Sequence, residues 1–598
     1  MNDRKAKLII GSLLHDIGKV IYREGGDKRN HSVSGYDYLK EEADIKEKEI
    51  LDCVKYHHAL LLKSANLEDD NLAYITYIAD NIAAFADRRE KENVDDKGFE
   101  IAVPLQSIFN ILNGNKQEYY YQPGDMDPES GINYPSEEKK NFSQTFYIKI
   151  RQRITDNLRG IDWNDEYVNS LLAVMEANLS YVPSSTAKAE LADISLFDHV
   201  KFTAAVASCI YDYLNAGKKN CKDELFTKEK EFYDRQAFLL CSLDISGIQN
   251  FIYTITSQNA LRTLRARSFY LEIMMEHIID TLLEKLELSR ANLLYSGGGH
   301  CYLLLANTED TLHKLEDWKK ELKLWFLKHF QNELFVACGY VKCSANSLRN
   351  IPEGSYSEMF RGVGEKLSAE KMHRYEADEI IWLNSQKADD YTKECKVCKH
   401  VGKVSEDGLC PLCSKIQKLS NNVLYSDFFS VVLEGEADGL PLPGGYLLLA
   451  DDEKTLSKRM EKDSYFVRVY AKNQMYTGKH IATKLWVGDY TTGDTFEKFA
   501  QKAEGIKRIG VLRADVDNLG QTFVAGFAGK YATLSRTAAL SRQLSIFFKY
   551  YIRSILKNGE YHIDGEKKLT ERNATIVYSG GDDVFIVGAW NEVIELSI

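Results

Sequence analysis

The sequence lacks an apolar run approaching the ~18 residues that a membrane-spanning helix needs, so we expect no membrane partner. It also lacks an excess of positive charge: the formal net charge of −12 argues against a protein that coats nucleic acid by bulk charge. Low-complexity segments are absent as well. The charged segment 1–7 precedes an apolar stretch that His15 and Asp16 interrupt, which is unlike a signal peptide. We therefore expect a cytoplasmic protein whose 11 cysteines are reduced or metal-bound.

A His-Asp dipeptide, His15-Asp16, follows the apolar run 8–14 directly and is itself followed by Gly18 and Lys19. Adjacent imidazole and carboxylate groups form a mixed ligand pair that suits a divalent transition metal. The alternative is an ordinary helix-capping pair, but the Gly-Lys sequence and the histidines downstream favour a metal site. Such a metal would activate water for attack on a phosphodiester.

The remaining ligands of this site must come from later in the chain, because no histidine precedes His15. His57 and His58 follow one predicted helix, and Asp80 ends another. His31 is a further candidate, although by itself it is more typical of a loop histidine. Which of the three later histidines binds the metal stays open at the level of sequence.

An internal repeat relates two distant parts of the chain. The first copy comprises residues 243–246 and 295–304, and the second comprises residues 514–517 and 578–587. In each copy a strand ends at an aspartate, and a helix, a strand, a Gly-Gly hairpin and another strand follow. This order predicts a ferredoxin-like α+β unit, present twice.

The second copy carries three acidic residues, Asp515 at the end of the strand predicted over 509–514 and Asp582 with Asp583 after the glycine pair. Neighbouring strands lie ~4.8 Å apart, so these carboxylates are expected to converge. Converging carboxylates repel one another unless cations bind between them. Two divalent ions ~3.5–4 Å apart are a known solution for nucleotidyl transfer, and Mg²⁺ or Mn²⁺ suits all-oxygen ligands.

The first copy has Gly299 and His300 where the second has the two turn carboxylates. We expect it to keep the fold without a metal centre. Its predicted role is to hold a second nucleotide against the first. A purely structural duplicate is the alternative.

Two Cys-x2-Cys pairs lie between the copies and are separated by 11 residues. Two tight pairs of thiolates predict a closed, tetrahedral, structural Zn²⁺ site. Its ligands would be Cys395, Cys398, Cys410 and Cys413. The other seven cysteines occur singly in apolar segments and are predicted to be core residues.

Several of these features together resemble the large subunit of type III-A CRISPR–Cas effector complexes, the Csm family. The resemblance covers the whole chain. It rests on residues 15–19, 182–186, 193–199 and 203–205, on the cysteine pairs, and on the two Gly-Gly hairpins, the second reading Gly580-Gly581-Asp582-Asp583.

The resemblance implies an enzyme that makes cyclic oligoadenylates from ATP at the interface of two palm domains and cleaves single-stranded DNA with an HD domain. Both activities would start when a complex of type III-A subunits, guided by CRISPR RNA, binds target RNA. Carried over, His15 and Asp16 serve the nuclease, and Asp515, Asp582 and Asp583 hold the palm metals. The residues implied to line the two ATP molecules are Ser579, Gly580, Gly581, Asp517 and Asn518 for one, and Ser296, Gly297 and Gly298 for the other.

The fold class expected is a multidomain α+β protein with an all-α HD domain, a pseudo-symmetric pair of ferredoxin-like palms and a small zinc-binding insert. The predicted units are an HD domain (1–105), a helical linker (106–230), a first palm (231–350), an insert (351–500) and a catalytic second palm (501–598). The chain runs only 15 residues past Asp583, so the second palm is expected to be truncated.

Two other functions fit parts of the pattern. One is a diguanylate-cyclase-like enzyme joined to an HD phosphodiesterase, although such palms work as homodimers of single copies. The other is a scaffold whose palms bind nucleotide without catalysis, which would tolerate loss of the acidic turn.

Overall fold

A computed structural model of the 598-residue chain describes all residues except 89–97, 127–131, 257–258, 387–391, 436–437, 476–481, 494, 564 and 566–567. No helix within the described residues is both long and apolar enough to cross a membrane. The chain forms an N-terminal helical unit, two β-sheet units that correspond to the sequence repeat, and a third sheet between them.

The regular structure described in the N-terminal unit consists of helices. Its helices are α1 (Asp3–Leu14), α2 (Gly18–Arg23), α3 (His31–Glu41), α4 (Lys48–Lys55), α5 (Ala59–Ser64), α6 (Ala73–Asp87), α7 (Gln144–Leu158), α8 (Val168–Leu179), α9 (Leu196–Ala216) and α10 (Glu229–Asp234). Helices α1 and α6 pack on the long helix α9, and α1 also packs on α4. Asn2 caps α1 by accepting the amide of Lys5, and Ser195 caps α9 by accepting the amide of Asp198.

Two expectations for this unit are wrong. Asp80 lies inside α6 and not at a helix end, because the alanine-rich sequence that follows continues the helix to Asp87. His31 is the first residue of α3 and not a loop residue, with Asn30 capping the helix by accepting the amide of Ser32.

The first palm is a four-stranded antiparallel sheet in the order β2-β3-β1-β4. Its elements are β1 (Phe238–Ser246), α11 (Ile248–Tyr253), α12 (Ala260–Lys285), β2 (Leu293–Gly297), β3 (His300–Ala306), α13 (Glu309–Phe330), β4 (Phe335–Cys343), α14 (Ala345–Leu348), α15 (Ser355–Met372) and α16 (Ala377–Ser385). Leu239 and Cys241 pack into one core and Phe238 and Leu240 into another, so both faces of β1 are buried. This explains its nearly continuous apolar sequence. Helix α15 packs on β4 and β1, so this palm extends beyond the predicted boundary at 350.

The insert contains a five-stranded sheet in the order β6-β7-β5-β8-β9, in which β8 and β9 run parallel. Its elements are α17 (Pro411–Tyr425), β5 (Phe428–Leu433), β6 (Leu440–Leu442), β7 (Tyr446–Asp451), α18 (Glu453–Lys462), β8 (Phe466–Lys472), β9 (Ala482–Leu485) and α19 (Phe496–Lys502). Helix α17 begins within the second cysteine pair, with Cys410 as its N-cap and Cys413 in its first turn, and packs on α12 of the first palm. The insert is therefore anchored to that palm.

The second palm is a three-stranded antiparallel sheet in the order β10-β12-β11. Its elements are β10 (Ile509–Asp515), α20 (Leu519–Ala525), α21 (Leu534–Ile546), α22 (Ile552–Lys557), β11 (Ala574–Ser579), β12 (Asp583–Ala589) and α23 (Trp590–Leu596). Strand β10 pairs with β12, as β1 pairs with β3 in the first palm. The strand, helix, hairpin order expected from the repeat is thus present in both copies.

Candidate metal and nucleotide sites

Four buried side chains of the N-terminal unit point at one spot: His15, Asp16, Asp80 and His199 offer ligand atoms that all lie within 4.8 Å of one another. His199 Nε2 is 3.1 Å from Asp16 Oδ2 and 3.2 Å from Asp80 Oδ1. His15 Nε2 is 3.5 Å from each of the same two oxygens. Two imidazoles and two carboxylates at these separations form a ligand set for a divalent cation.

The inner atoms of this cluster are buried and have no hydrogen-bond partner among the described residues: His15 Nε2, Asp80 Oδ1 and His199 Nε2. Buried polar atoms without partners cost free energy, so such a group calls for a ligand. The outer ring nitrogens are held, because His15 Nδ1 is 2.7 Å from the Ser12 carbonyl and His199 Nδ1 is 2.6 Å from Asp87 Oδ2. This arrangement aims both inner nitrogens at the same point, as is typical of metal-binding histidines.

Three more histidines form a second cluster beside the first. His58 Nε2 is 2.9 Å from His31 Nε2, and His57 Nε2 is 3.4 Å from His31 Nε2. Asp16 connects the two clusters, because its Oδ1 lies 3.1 Å from His31 Nε2 while its Oδ2 faces the first cluster. The residues present therefore fit two cations that share the Asp16 carboxylate.

The pKa values of His57, His58 and Asp16 are shifted towards the forms that bind a cation, neutral imidazole and ionised carboxylate. Burial, with the neighbouring His31 charge, lowers the pKa of His58 to about 4, and burial holds the pKa of His57 well below its usual value. Both imidazoles are therefore neutral at pH 7 and able to bind a metal. Burial by itself would raise the pKa of Asp16, but Lys19 and His15 hold it well below the ordinary range, so the carboxylate stays ionised.

The structure thus brings His15, Asp16 and Asp80 together, and it places His57 and His58 with His31. The member of the first cluster that sequence reasoning missed is His199. The segment 193–199 contributed to the resemblance, yet nothing in its local pattern assigns His199 to a site more than 180 residues away from His15.

The acidic residues of the second palm meet across two strands. Asp515 and Asp583 are direct partners in the antiparallel pairing of β10 with β12. Directly opposed residues project to the same face of a sheet, with Cβ atoms ~4.5–5.5 Å apart. The Val516 amide donates to the Asp582 carbonyl at 3.0 Å, and the Gly580 amide donates to the Asp583 carbonyl at 2.8 Å, which closes the hairpin.

Burial raises the pKa of Asp582, and the Asp515 charge raises it further. Burial also raises the pKa of Asp583 to about 6; the Tyr578 hydroxyl opposes this shift, and the Asp582 and Asp515 charges add to it. The Asp515 charge thus acts on both turn carboxylates. Asp515 is exposed, and the three do not form a group with ligand atoms within 4.8 Å, unlike the clusters of the N-terminal unit. A cation would draw them together by relieving the repulsion.

The two Gly-Gly hairpins face each other directly. A Cβ atom on Gly297 would lie 2.9 Å from the Gly581 Cα, and one on Gly298 would lie 2.8 Å from Asp582 Oδ1. Any side chain at Gly297 would therefore separate the palms, and Gly298, with φ of +60°, is in the left-handed region that favours glycine. Close approach of the two palms thus accounts for Gly297, Gly298 and Gly581.

In the first palm, the aspartate that corresponds to Asp515 is already paired. Asp244 Oδ2 is 3.1 Å from His300 Nδ1 and 2.8 Å from Lys371 Nζ. A neighbouring lysine and histidine neutralise this carboxylate, so the chemistry of the first copy differs from that of the second.

The other residues predicted to line nucleotides differ in their surroundings. Ser296 donates to Glu276 Oε1 at 3.1 Å and lines a cavity of about 170 Å³ between the units, together with Lys201, Lys484 and Arg542. Ser579 donates to the Phe548 carbonyl. Asp517 and Asn518 are exposed in the turn that begins α20.

The four cysteines predicted to bind zinc form one cluster, with Sγ atoms all within 4.8 Å of one another. Cys398 Sγ and Cys410 Sγ are 3.6 Å apart. Tetrahedral Zn²⁺ with Zn–S bonds of about 2.3 Å places its sulfurs about 3.8 Å apart, so the cluster fits the ion. Arg267 of α12 donates to Cys413 Sγ at 3.2 Å, which links the cluster to the first palm. The other seven cysteines are buried, as predicted.

Metal analysis of the purified chain is expected to find about one zinc per chain. Replacing Cys398 and Cys410 together with serine should remove this zinc and lower the melting temperature, since the cluster joins the insert to the first palm. Cys343→Ser is the matched control, because Cys343 is buried outside the cluster, and it should keep the zinc. A parent protein free of zinc, or zinc retained after the double substitution, contradicts the assignment.

Comparison with known families and proteins agrees with this architecture. The family described as HD domain matches residues 1–84, Csm1 subunit domain B matches 237–386, and the second palm domain of Cas10/Cmr2 matches 508–598. The CRISPR system single-strand-specific deoxyribonuclease Cas10/Csm1 (subtype III-A) of Enterococcus italicus is 41% identical over 620 residues, which cover 100% of this chain and 79% of the relative. The chain belongs to the Cas10/Csm1 family of subtype III-A.

Other Cas10/Csm1 proteins extend the comparison. The protein of the same description from Mycobacterium tuberculosis is 42% identical over 651 residues, covering 100% of this chain and 80% of the relative. A crystal structure of the Csm1–Csm4 subcomplex of the type III-A interference complex has a TM-score of 0.76 at 24% identity, covering 100% of this chain and 77% of that one. A Csm1–Csm4 cassette in complex with cA4 has a TM-score of 0.75 at 24% identity, covering 100% of this chain and 76% of that one. The family and fold class expected from the sequence are confirmed.

Proposed function

We propose that this chain is the subunit of an RNA-guided type III-A effector complex that makes cyclic oligoadenylates from ATP and cleaves single-stranded DNA. Curated relatives are described as single-strand-specific deoxyribonucleases, and similar Csm1–Csm4 structures hold ATP, cA3 or cA4. The observation that carries the proposal is the contact between Gly297 and Gly581, which sets the acidic turn of one palm against the hairpin of the other.

The HD cluster is the proposed nuclease site, with His15, Asp16, Asp80 and His199 around one divalent cation and His31, His57 and His58 around a second. When bound, such cations supply an activated water and polarise a phosphodiester. The protein contributes orientation: Asp87 fixes the ring of His199, and Lys19 pairs with Asp16 while donating to the Ser184 carbonyl at 3.1 Å. A lysine so placed also brings positive charge to the site of a polyanionic substrate.

The facing hairpins are the proposed site of nucleotidyl transfer. Asp515, Asp582 and Asp583 would hold Mg²⁺ or Mn²⁺, which neutralise triphosphate charge when bound. We assign Ser579, Gly580, Gly581, Asp517 and Asn518 to one ATP and Ser296, Gly297 and Gly298 to the other. Glycines allow the backbone of each hairpin to approach a nucleotide closely, and the pairing of two hairpins in one chain allows two ATP molecules to be held head to head.

The test is to incubate the purified effector complex with each nucleoside triphosphate, with and without target RNA, and to identify products by mass spectrometry. A product from ATP alone that requires target RNA is the expected result. A product from GTP alone, made by the isolated chain, would instead support the diguanylate-cyclase-like function. No product under any condition would leave the palms as a nucleotide-binding scaffold and contradict the proposal.

A further inference from the structure

Helix α21 belongs to the second palm, yet it packs on α6 and α9 of the N-terminal helical unit, which holds the HD metal site and is called the HD unit below, as well as on β2 of the first palm. Two of its arginines, Arg536 and Arg542, point into the HD unit and are held there by ion pairs. No described side chain of these ion pairs is exposed, and Arg536 is fully buried. Buried arginine–carboxylate pairs with this many hydrogen bonds fix geometry more strongly than surface pairs do.

Arg536 binds the end of α6. Its Nε and Nη2 donate to Asp193 at 2.8 Å and 2.9 Å, and Nη2 also donates to the Asp87 carbonyl at 3.0 Å. Its Nη1 donates to the Ala86 carbonyl at 3.3 Å. The last carbonyls of a helix lack partners within the helix, so this guanidinium caps α6 from another domain.

Asp87, whose carbonyl Arg536 holds, is the residue whose carboxylate fixes His199. Its Oδ2 lies 2.6 Å from His199 Nδ1, and the opposite nitrogen of His199 faces Asp16 and Asp80. Arg542 holds the residue that precedes His199 in the chain: its Nε and Nη2 donate to the Asp198 carboxylate at 2.9 Å and 2.8 Å. The residue before His199 and the carboxylate that orients its ring are thus both tied to α21.

We propose that Arg536 and Arg542 are positioning residues through which the second palm sets the orientation of His199 in the HD metal site. This inference rests on the proposed nuclease function. Neither arginine contacts the inner atoms of the cluster. Arg536 acts through Asp87 and Arg542 through Asp198. The metal affinity of the nuclease site therefore depends on α21, a helix of the second palm.

The test measures Mn²⁺ binding by isothermal titration calorimetry, in a chain carrying Asp582→Ala and Asp583→Ala so that the palm carboxylates do not contribute. Arg536→Lys keeps the charge but lacks the planar fork that serves several acceptors at once. We expect its affinity for Mn²⁺ to fall by roughly 10-fold, the lower end of the effect of losing an outer partner of a metal ligand. Arg542→Lys should weaken binding in the same direction, and it provides the measurement if Arg536→Lys does not fold.

Arg553→Lys is the matched control, because Arg553 lies on α22 of the same palm and pairs with Asp489 at 3.2 Å, outside the HD unit. It should leave Mn²⁺ affinity unchanged. In an Asp87→Ala background, Arg536→Lys should cause no further loss, since the hydrogen bond from Asp87 to His199 is already absent. Folding is checked by circular dichroism and thermal unfolding of each metal-free variant.

The outcomes separate the inference from the proposal on which it rests. The proposed nuclease metal site fails if the parent chain binds no Mn²⁺. It also fails if the chain carrying His15→Ala with Asp16→Ala binds Mn²⁺ as well as the parent does. If the parent binds but folded Arg536→Lys or Arg542→Lys binds equally well, the positioning role is wrong. Additive losses of Arg536→Lys and Asp87→Ala would likewise overturn it, because they would mean that the arginine does not act through Asp87.

Discussion

Replacing Asp582 and Asp583 together with alanine is expected to abolish synthesis of oligoadenylates from ATP while single-stranded DNA cleavage continues. Burial and the Asp515 charge raise the pKa values of both Asp582 and Asp583, which indicates a site built to receive positive charge. Without two of them, the exposed Asp515 alone cannot hold cations against the solvent. Loss of such ligands costs several kcal/mol of transition-state stabilisation, so the rate should fall by roughly 10³-fold or more.

The measurement is product formation from ATP by the complex with target RNA, followed by mass spectrometry, with DNA cleavage assayed in the same preparation. Glu560→Ala with Glu571→Ala is a charge-matched control, because both residues are exposed in the same palm, away from the hairpin. It should retain both activities. Oligoadenylate made by the Asp582, Asp583 double variant would show that the palm assignment is wrong.

The converse result is expected for the HD site. His15→Ala with Asp16→Ala should abolish DNA cleavage, again by roughly 10³-fold or more, and leave oligoadenylate synthesis intact. Asp16 is the residue that faces both clusters, through its two carboxylate oxygens, so its loss disturbs both proposed cation sites. His199→Ala should have the same effect, since His199 contacts Asp16 and Asp80 at 3.1 Å and 3.2 Å.

Degradation of a labelled single strand with added Mn²⁺ measures this effect. His313→Ala is the control, because His313 is exposed on α13 and remote from both sites. Oligoadenylate synthesis in each variant reports that the chain is still folded and assembled. Unchanged cleavage by the His15, Asp16 double variant would mean that the nuclease lies elsewhere in the complex.

The sequence by itself determined the features that depend on local spacing. The repeat predicted two strand–helix–hairpin units, and both are present because apolar strand sequences and glycine pairs constrain the backbone within a few residues. The cysteine pairs predicted one cluster, since two closely spaced thiols can share an ion with little rearrangement of the chain. His15 and Asp16 were found because they are adjacent.

Other features were decided only by tertiary structure. His199 joins His15 because α9 packs on α1 and α6, and no local pattern reports which helices pack together. The boundary at 350 missed α15 for the same reason, since the amphipathic helix does not specify the sheet that it covers. Contact of Gly297 with Gly581, and the reach of Arg536 into the HD unit, join residues that are hundreds of positions apart. Motifs of neighbouring residues can be identified from local spacing in the sequence. These long-range contacts depend instead on how the surfaces of whole helices and sheets pack together.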